Sequence, residues 1–146
     1  MLDGVLEKVE QPLAHKELRT LYADNETILL VDDHKFALDT ACDILDQYGY
    51  TTITAENGED AVEIYVRKEN QIDLVILDIG MPGMDGHRCF KELLKINPEI
   101  KVLVATGYFA DGQVKETLEA GAAGFIGKPY RLIDMVKKVR EMLDRR

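Results

Sequence analysis

The feature that most constrains this chain is an alternation that starts at Thr27 and runs on to the last residues. Short apolar runs are separated by longer stretches of helical spacing. The runs are TILLV (27–31), TTITA (51–55), IDLVIL (72–77), KVLVA (101–105) and GFIG (124–127). Leu29 to Val31 and Leu74 to Leu77 are continuously apolar, as strands covered on both faces should be. Between them, apolar residues recur every three or four positions. Ala37, Ala41, Ile44, Leu45 and Tyr48 form one stripe, which Gly49 ends. Ala61, Val62 and Tyr65 follow the Asn57-Gly58 turn, and Cys89, Phe90, Leu93 and Leu94 close before Pro98. Val114 and Leu118 give a short fourth stripe, and Leu132, Met135, Val136, Val139 and Leu143 a clear fifth. Five strands each followed by a helix over short connections predict a parallel sheet wrapped on both sides, a doubly wound (βα)5 architecture.

Residues 1–26 stand outside that alternation, so the expected organisation is a leader or linker over 1–26 and one domain over 27–146. Leu2, Val5, Leu6 and Val9 could make two turns of amphipathic helix before Pro12, and Leu13, Leu18, Leu21 and Tyr22 more. A flexible leader and a docking or dimer helix both stay open.

Net charge is -9, from 18 basic and 27 acidic residues, which disfavours direct nucleic-acid binding because Lys and Arg supply that affinity. No apolar run approaches the ~20 residues of a membrane-spanning helix, and the first residues lack a signal-peptide pattern. No membrane contact and a cytoplasmic location are therefore expected. Cys42 and Cys89 lack CxxC spacing and read as small apolar fillers of a reduced protein.

In such a sheet, ligands bind beyond the C-terminal ends of the strands. The first strand delivers Asp32-Asp33, and the third delivers Asp78 followed by Ile79 to Gly86. The fourth delivers Thr106-Gly107-Tyr108, and the fifth Lys128-Pro129. Each has an ordinary explanation alone: a helix cap for Asp32 or Asp33, a turn hydroxyl for Thr106, a solvated charge for Lys128. Together they fail that explanation, because three carboxylates against one ammonium leave about two excess negative charges in a small space. A hard divalent cation relieves the conflict, and Mg²⁺ suits because it needs few carboxylates and keeps several waters. A carboxylate beside Mg²⁺, with an ammonium and a hydroxyl nearby, is a phosphoryl-acceptor arrangement. That transfer needs positioning and charge neutralisation more than covalent help.

Asp32-Asp33, Asp78 within LVILDIGMPGMDG, Thr106-Gly107 and Lys128-Pro129 resemble the receiver domain of two-component response regulators, over about Thr27 to Arg146. The resemblance implies a flavodoxin-like sheet of order 2-1-3-4-5. It implies phosphorylation of Asp78, with Mg²⁺ held by Asp33, Asp78 and the Gly80 carbonyl, and Asp32 holding a metal-bound water. Lys128 would pair with Asp78 and then with a phosphoryl oxygen. Thr106 would bond another phosphoryl oxygen, and Phe125 would swing from exposed to buried, although an ordinary core Phe fits position 125 as well. A cis peptide bond would join Lys128 to Pro129.

The implied donor is a histidine kinase or a phosphotransfer protein. The implied output is a downstream protein at the face of the fourth helix, fifth strand and fifth helix, or a phosphorylation-dependent homodimer. The chain would assist its own phosphorylation and slow dephosphorylation without being an enzyme in the turnover sense. His15, His34 and His87 show no ligand spacing and read as surface histidines. Gly80 and Tyr108 depart from the family's usual residues and flank the path of a hydrolytic water.

Two other classes stay open: a small Mg-dependent phosphatase of the haloacid-dehalogenase type, and a receiver-like binding module that takes no phosphate. The phosphatase pairs its nucleophile with a second Asp two residues on, where this chain has Gly80. The chain is expected to be either a stand-alone receiver or a piece of a longer protein. Its Thr106-Gly107-Tyr108 and Lys128-Pro129-Tyr130 runs lean towards receivers of hybrid sensor kinases.

Overall fold

The computed structural model describes residues 19–81, 86–107 and 111–145, with the side chains of 111–114 left out. Five parallel strands, β1 (Thr27–Val31), β2 (Thr51–Ala55), β3 (Leu74–Asp78), β4 (Val102–Thr106) and β5 (Gly124–Gly127), form one sheet in the order β2-β1-β3-β4-β5. The helices are α1 (Lys35–Gln47), α2 (Gly58–Lys68), α3 (Gly86–Ile96), α4 (Asp111–Glu119) and α5 (Leu132–Asp144), and a short 3₁₀ turn at Glu69–Gln71 follows α2. The alternation thus folds as expected, with strand ends within two residues of the apolar runs.

The sheet's two faces build two cores because strand side chains alternate. Ile28 and Leu30 of β1, Leu74 and Ile76 of β3, and Leu103 and Ala105 of β4 face one side. There they meet Leu38, Ala41, Ile44 and Leu45 of α1 and Met135, Val136, Val139 and Met142 of α5. Leu29, Val31, Val75, Leu77 and Val102 face the other side, against Ala61 and Tyr65 of α2 and Cys89, Phe90 and Leu93 of α3. The inner strands β1 and β3 are buried almost throughout, while the edge strands β2 and β5 are largely open. Burying each Leu or Ile of these strands contributes about 2 kcal/mol before entropy is counted.

Local signals fix the helix ends. Gly49, at φ +85°, closes α1. The Tyr50 N–H bonds the Leu45 carbonyl at 3.1 Å and the Gly49 N–H bonds that of Asp46 at 3.0 Å, a Schellman pattern that needs the left-handed residue. Asn57 caps α2 by accepting from the Asp60 N–H at 2.7 Å, with acidic residues in the first turn and basic ones in the last. α4 buries Thr117 rather than the expected Leu118, which is only half-buried, and the Thr117 hydroxyl meets His87 of α3.

Of the expected leader, residues 1–18 lie outside the described residues, and with them the Leu2 to Val9 stripe and Leu13 and Leu18. From Leu21 on, the chain is packed against the domain. Leu21 is buried in the core shared with α1 and α5, the Tyr50 hydroxyl donates to its carbonyl at 3.0 Å, and the Ala23 N–H donates to Tyr48 at 2.9 Å. Tyr22 stands over Tyr48 with ring centroids 4.9 Å apart.

Candidate functional site

Strand register brings the candidate residues to one edge. Val31 pairs with Leu77, Asp78 with Ala105, and Thr106 with Gly127. The residues that follow or end these strands, Asp32, Asp78, Thr106 and Lys128, are therefore neighbours at the spacing of adjacent strands. The Lys128 N–H donates to the Thr106 carbonyl at 2.8 Å, carrying the pairing past β5, and the Lys128–Pro129 peptide bond is cis.

Asp32 and Asp78 are 3% and 4% exposed, depths at which carboxylates are kept only when paired. Asp32 Oδ1 accepts from the His34 N–H at 2.8 Å, and its Oδ2 accepts from Lys128 Nζ at 2.8 Å. Asp78 Oδ1 accepts from the Gly80 N–H at 2.9 Å, and its Oδ2 lies 3.5 Å from Lys128 Nζ. Lys128 thus stands between the two acids and nearer Asp32, whereas the sequence pairs it first with Asp78. Asp32 does not cap α1: His34 holds the N-cap position, and Asp32 closes a turn two residues upstream.

Burial first, and then the charge of Asp32, pushes the Asp78 carboxyl above the ordinary aspartate range. The Gly80 N–H and Lys128 oppose that rise. For Lys128, burial works against the charge, but the hydrogen bond to Asp32 and the fields of Asp78 and Asp32 outweigh it and hold the ammonium above the usual lysine range. Burial, then Asp32 and Asp78, likewise raise the nearby Tyr130 phenol.

The charge balance and donor chemistry fit a hard divalent cation. Asp32, Asp33, His34 and Asp78 each offer a ligand atom within 4.8 Å of the others, three of them carboxylate oxygens. Thr106 sits at the end of β4 with its hydroxyl donated to the Gly107 carbonyl at 2.6 Å, turned to its own loop rather than to Asp78. Phe125 on β5 is 52% exposed. Tyr108 and residues 82–85 of the loop after Asp78 lie outside the described residues.

The reading of His34 as a surface histidine holds, whereas His87 is largely covered; the sequence reading missed what each ring meets. The His34 ring, though exposed, points Nδ1 at Asp33 Oδ1, 3.2 Å away, and at Asp32 Oδ1, 3.5 Å away. His87 has only 18% of its side chain exposed, with Nδ1 2.9 Å from Thr117 Oγ1. Adjacency to Asp32-Asp33 was the available signal for His34. His87 had no such signal, since its partner lies on another helix.

Among the described residues, no helix is long and apolar enough to cross a membrane. The chain is 32% identical over 140 residues to the sensor kinase CckA of Brucella abortus, covering 93% of this chain but only 15% of that kinase. It is 39% identical over 116 residues to the chemotaxis protein CheY of Thermotoga maritima, covering 77% of this chain and 95% of that protein. Its fold superposes, with a TM-score of 0.77 and 31% identity, on a chain of the CheX–CheY–BeF3–Mg²⁺ complex from Borrelia burgdorferi, covering 82% of this chain and 90% of that one. The model of the response regulator receiver domain matches residues 28–140, and the chain, with its acidic strand-end site and 2-1-3-4-5 sheet, belongs to that family.

Proposed function

We propose that this receiver takes a phosphoryl group on Asp78 from a phosphohistidine of a histidine kinase or phosphotransfer protein. The observation that carries the reading is Asp78 itself: a buried carboxylate ending β3, with one oxygen held by the Gly80 N–H and the other facing the Lys128 ammonium. The P–N bond of the donor breaks, a P–O bond to Asp78 forms, and the leaving imidazole takes up a proton. Asp33, Asp78 and the Gly80 carbonyl would hold Mg²⁺, with Asp32 reaching it through water. When bound, Mg²⁺ neutralises phosphoryl charge.

Lys128 turns from the carboxylates to a phosphoryl oxygen, and Thr106 gives up its bond to Gly107 to donate to another. Movement of Thr106 frees space for Phe125, shifting the population of α4, β5 and α5 between two arrangements. A groove of about 440 Å³ beside Lys128, lined by Phe125, Pro129, Arg131, Asp134 and Lys138, is the surface this shift would alter for a downstream protein or a second copy of the chain. The likeness to a sensor kinase, and to a complex of CheY with CheX, supports a protein donor and a protein partner.

Incubation with Mg²⁺ and acetyl phosphate should add the mass of one phosphoryl group to the chain and none to Asp78→Asn. Equal gain by the variant, or steady turnover of a small phosphomonoester, would overturn the reading.

A further inference from the structure

We infer that His34 is a nitrogen ligand of the cation that Asp33, Asp78 and the Gly80 carbonyl would hold, with Asp32 reaching it through water, and that it biases the site towards Mn²⁺ over Mg²⁺. The inference rests on the metal-dependent reading above and adds a residue to it.

His34 occupies the N-cap position of α1, where Ser, Thr, Asp or Asn would use a side-chain oxygen on the free N–H groups of the first turn. Its side chain makes no such bond. Instead its backbone N–H is fixed to Asp32 Oδ1 at 2.8 Å, which anchors the residue beside the acidic site, and the exposed ring turns Nδ1 towards the carboxylates. Nδ1 lies 3.2 Å from Asp33 Oδ1 and within the same 4.8 Å cluster of ligand atoms as Asp32 and Asp78. The imidazole is otherwise open to solvent, with 71% of its side chain exposed, so no packing fixes it against a small adjustment towards an ion.

The chemistry of the donors decides which ion gains. Carboxylates, carbonyls and water serve Mg²⁺ and Mn²⁺ alike, whereas an imidazole nitrogen adds affinity for transition ions and little for Mg²⁺. Three carboxylates against Lys128 already supply the charge a divalent cation needs. A neutral ring adds a donor without changing that balance, while an imidazolium would compete with the cation for the same oxygens. The two roles have opposite consequences on removal of the ring.

Titration calorimetry of the full chain and of His34→Ala with MnCl2 and MgCl2 separates them. A ligand role predicts that the variant loses about tenfold in Mn²⁺ affinity with Mg²⁺ affinity little changed. It also predicts that the ¹⁴N modulation of bound Mn²⁺ in pulsed electron paramagnetic resonance disappears in the variant. An unchanged Mn²⁺ to Mg²⁺ ratio, or tighter binding of both ions by the variant, would show His34 to be only a charge partner. If the unmodified chain binds neither ion, the metal-dependent reading fails and this inference falls with it.

Discussion

Lys128 donates a 2.8 Å hydrogen bond to Asp32, across from the carboxylate of Asp78 that its charge is expected to serve. With Asp78 3.5 Å away, the ammonium bridges two buried acids that would otherwise repel each other. Replacing Lys128 by Met removes that bridge and a cation that competes for the same oxygens. Phosphorylation by acetyl phosphate should then slow roughly a hundredfold, as when a fixed charge facing a transition state is lost. Mg²⁺ affinity, read by calorimetry, should hold or rise. An unchanged phosphorylation rate would remove Lys128 from the transfer.

Gly86 opens α3 hard against the acceptor strand. A Cβ there would overlap Ile79 Cα and come within 2.6 Å of the Asp78 carbonyl oxygen and 2.8 Å of Ile79 Cβ. Backbone atoms do not move aside as a flexible side chain does, so Gly86→Ala should cost at least about 2 kcal/mol in urea unfolding. The shift must also disturb Asp78, so phosphorylation should fall in the folded fraction. A loss below about 0.5 kcal/mol would mean that α3 does not sit this close to β3.

The fold was legible because its signals are local: uninterrupted apolar runs such as Leu74 to Leu77, turns such as Asn57-Gly58, and the stop at Gly49. The residues of the site were legible because a parallel sheet delivers its strand ends to one edge, so Asp32, Asp78, Thr106 and Lys128 could be read off as successors of strands. What sequence does not encode locally is which of two acids an ammonium prefers, or where a hydroxyl turns. Asp32 and Asp78 each have one oxygen held by a backbone N–H, of His34 and Gly80, so the 2.8 Å bond from Lys128 to Asp32 rests on where the fold places the ammonium rather than on anything local in the sequence. The role of the stretch from Leu21 to Glu26 was hidden for the same reason: its partners, Tyr48, Tyr50 and Arg140, are far along the chain.

Arg140 of α5 is that segment's main polar anchor. Its guanidinium reaches Glu26 at 2.7 Å, Asp144 at 2.8 Å, the Tyr50 hydroxyl at 3.2 Å and the Tyr22 carbonyl at 3.3 Å. Burial alone would raise the Glu26 carboxyl, but the Arg140 hydrogen bond, the Asp24 N–H and the Arg140 charge together outweigh it and bring the carboxyl below the ordinary glutamate value of 4.5. A group with a depressed folded pKa stabilises the fold above its unfolded pKa and loses that contribution as pH falls through the folded value. Unfolding midpoints of the unmodified chain should therefore decline below about pH 4.5 more steeply than those of Glu26→Gln. At neutral pH, Arg140→Met, which leaves the Glu26 charge with only the Asp24 N–H on it, should cost about 3 kcal/mol. Parallel acid limbs would mean that Glu26 titrates as a free side chain.

His87 and Thr117 tie α3 to α4 through a 2.9 Å contact, with Glu116 Oε2 3.9 Å from the other ring nitrogen. Thr117 is fully buried, so its hydroxyl would lose more than a surface group if the bond were removed. The test is a double-mutant cycle of His87→Leu and Thr117→Val on urea stability. Each single change should destabilise, and the double should recover part of the sum, with a coupling of about 1 kcal/mol. His87 directly follows Gly86, which is packed on the acceptor strand, so this contact joins α4 to a residue that abuts the backbone of Asp78. Strictly additive losses would show that α4 is held against α3 by packing alone.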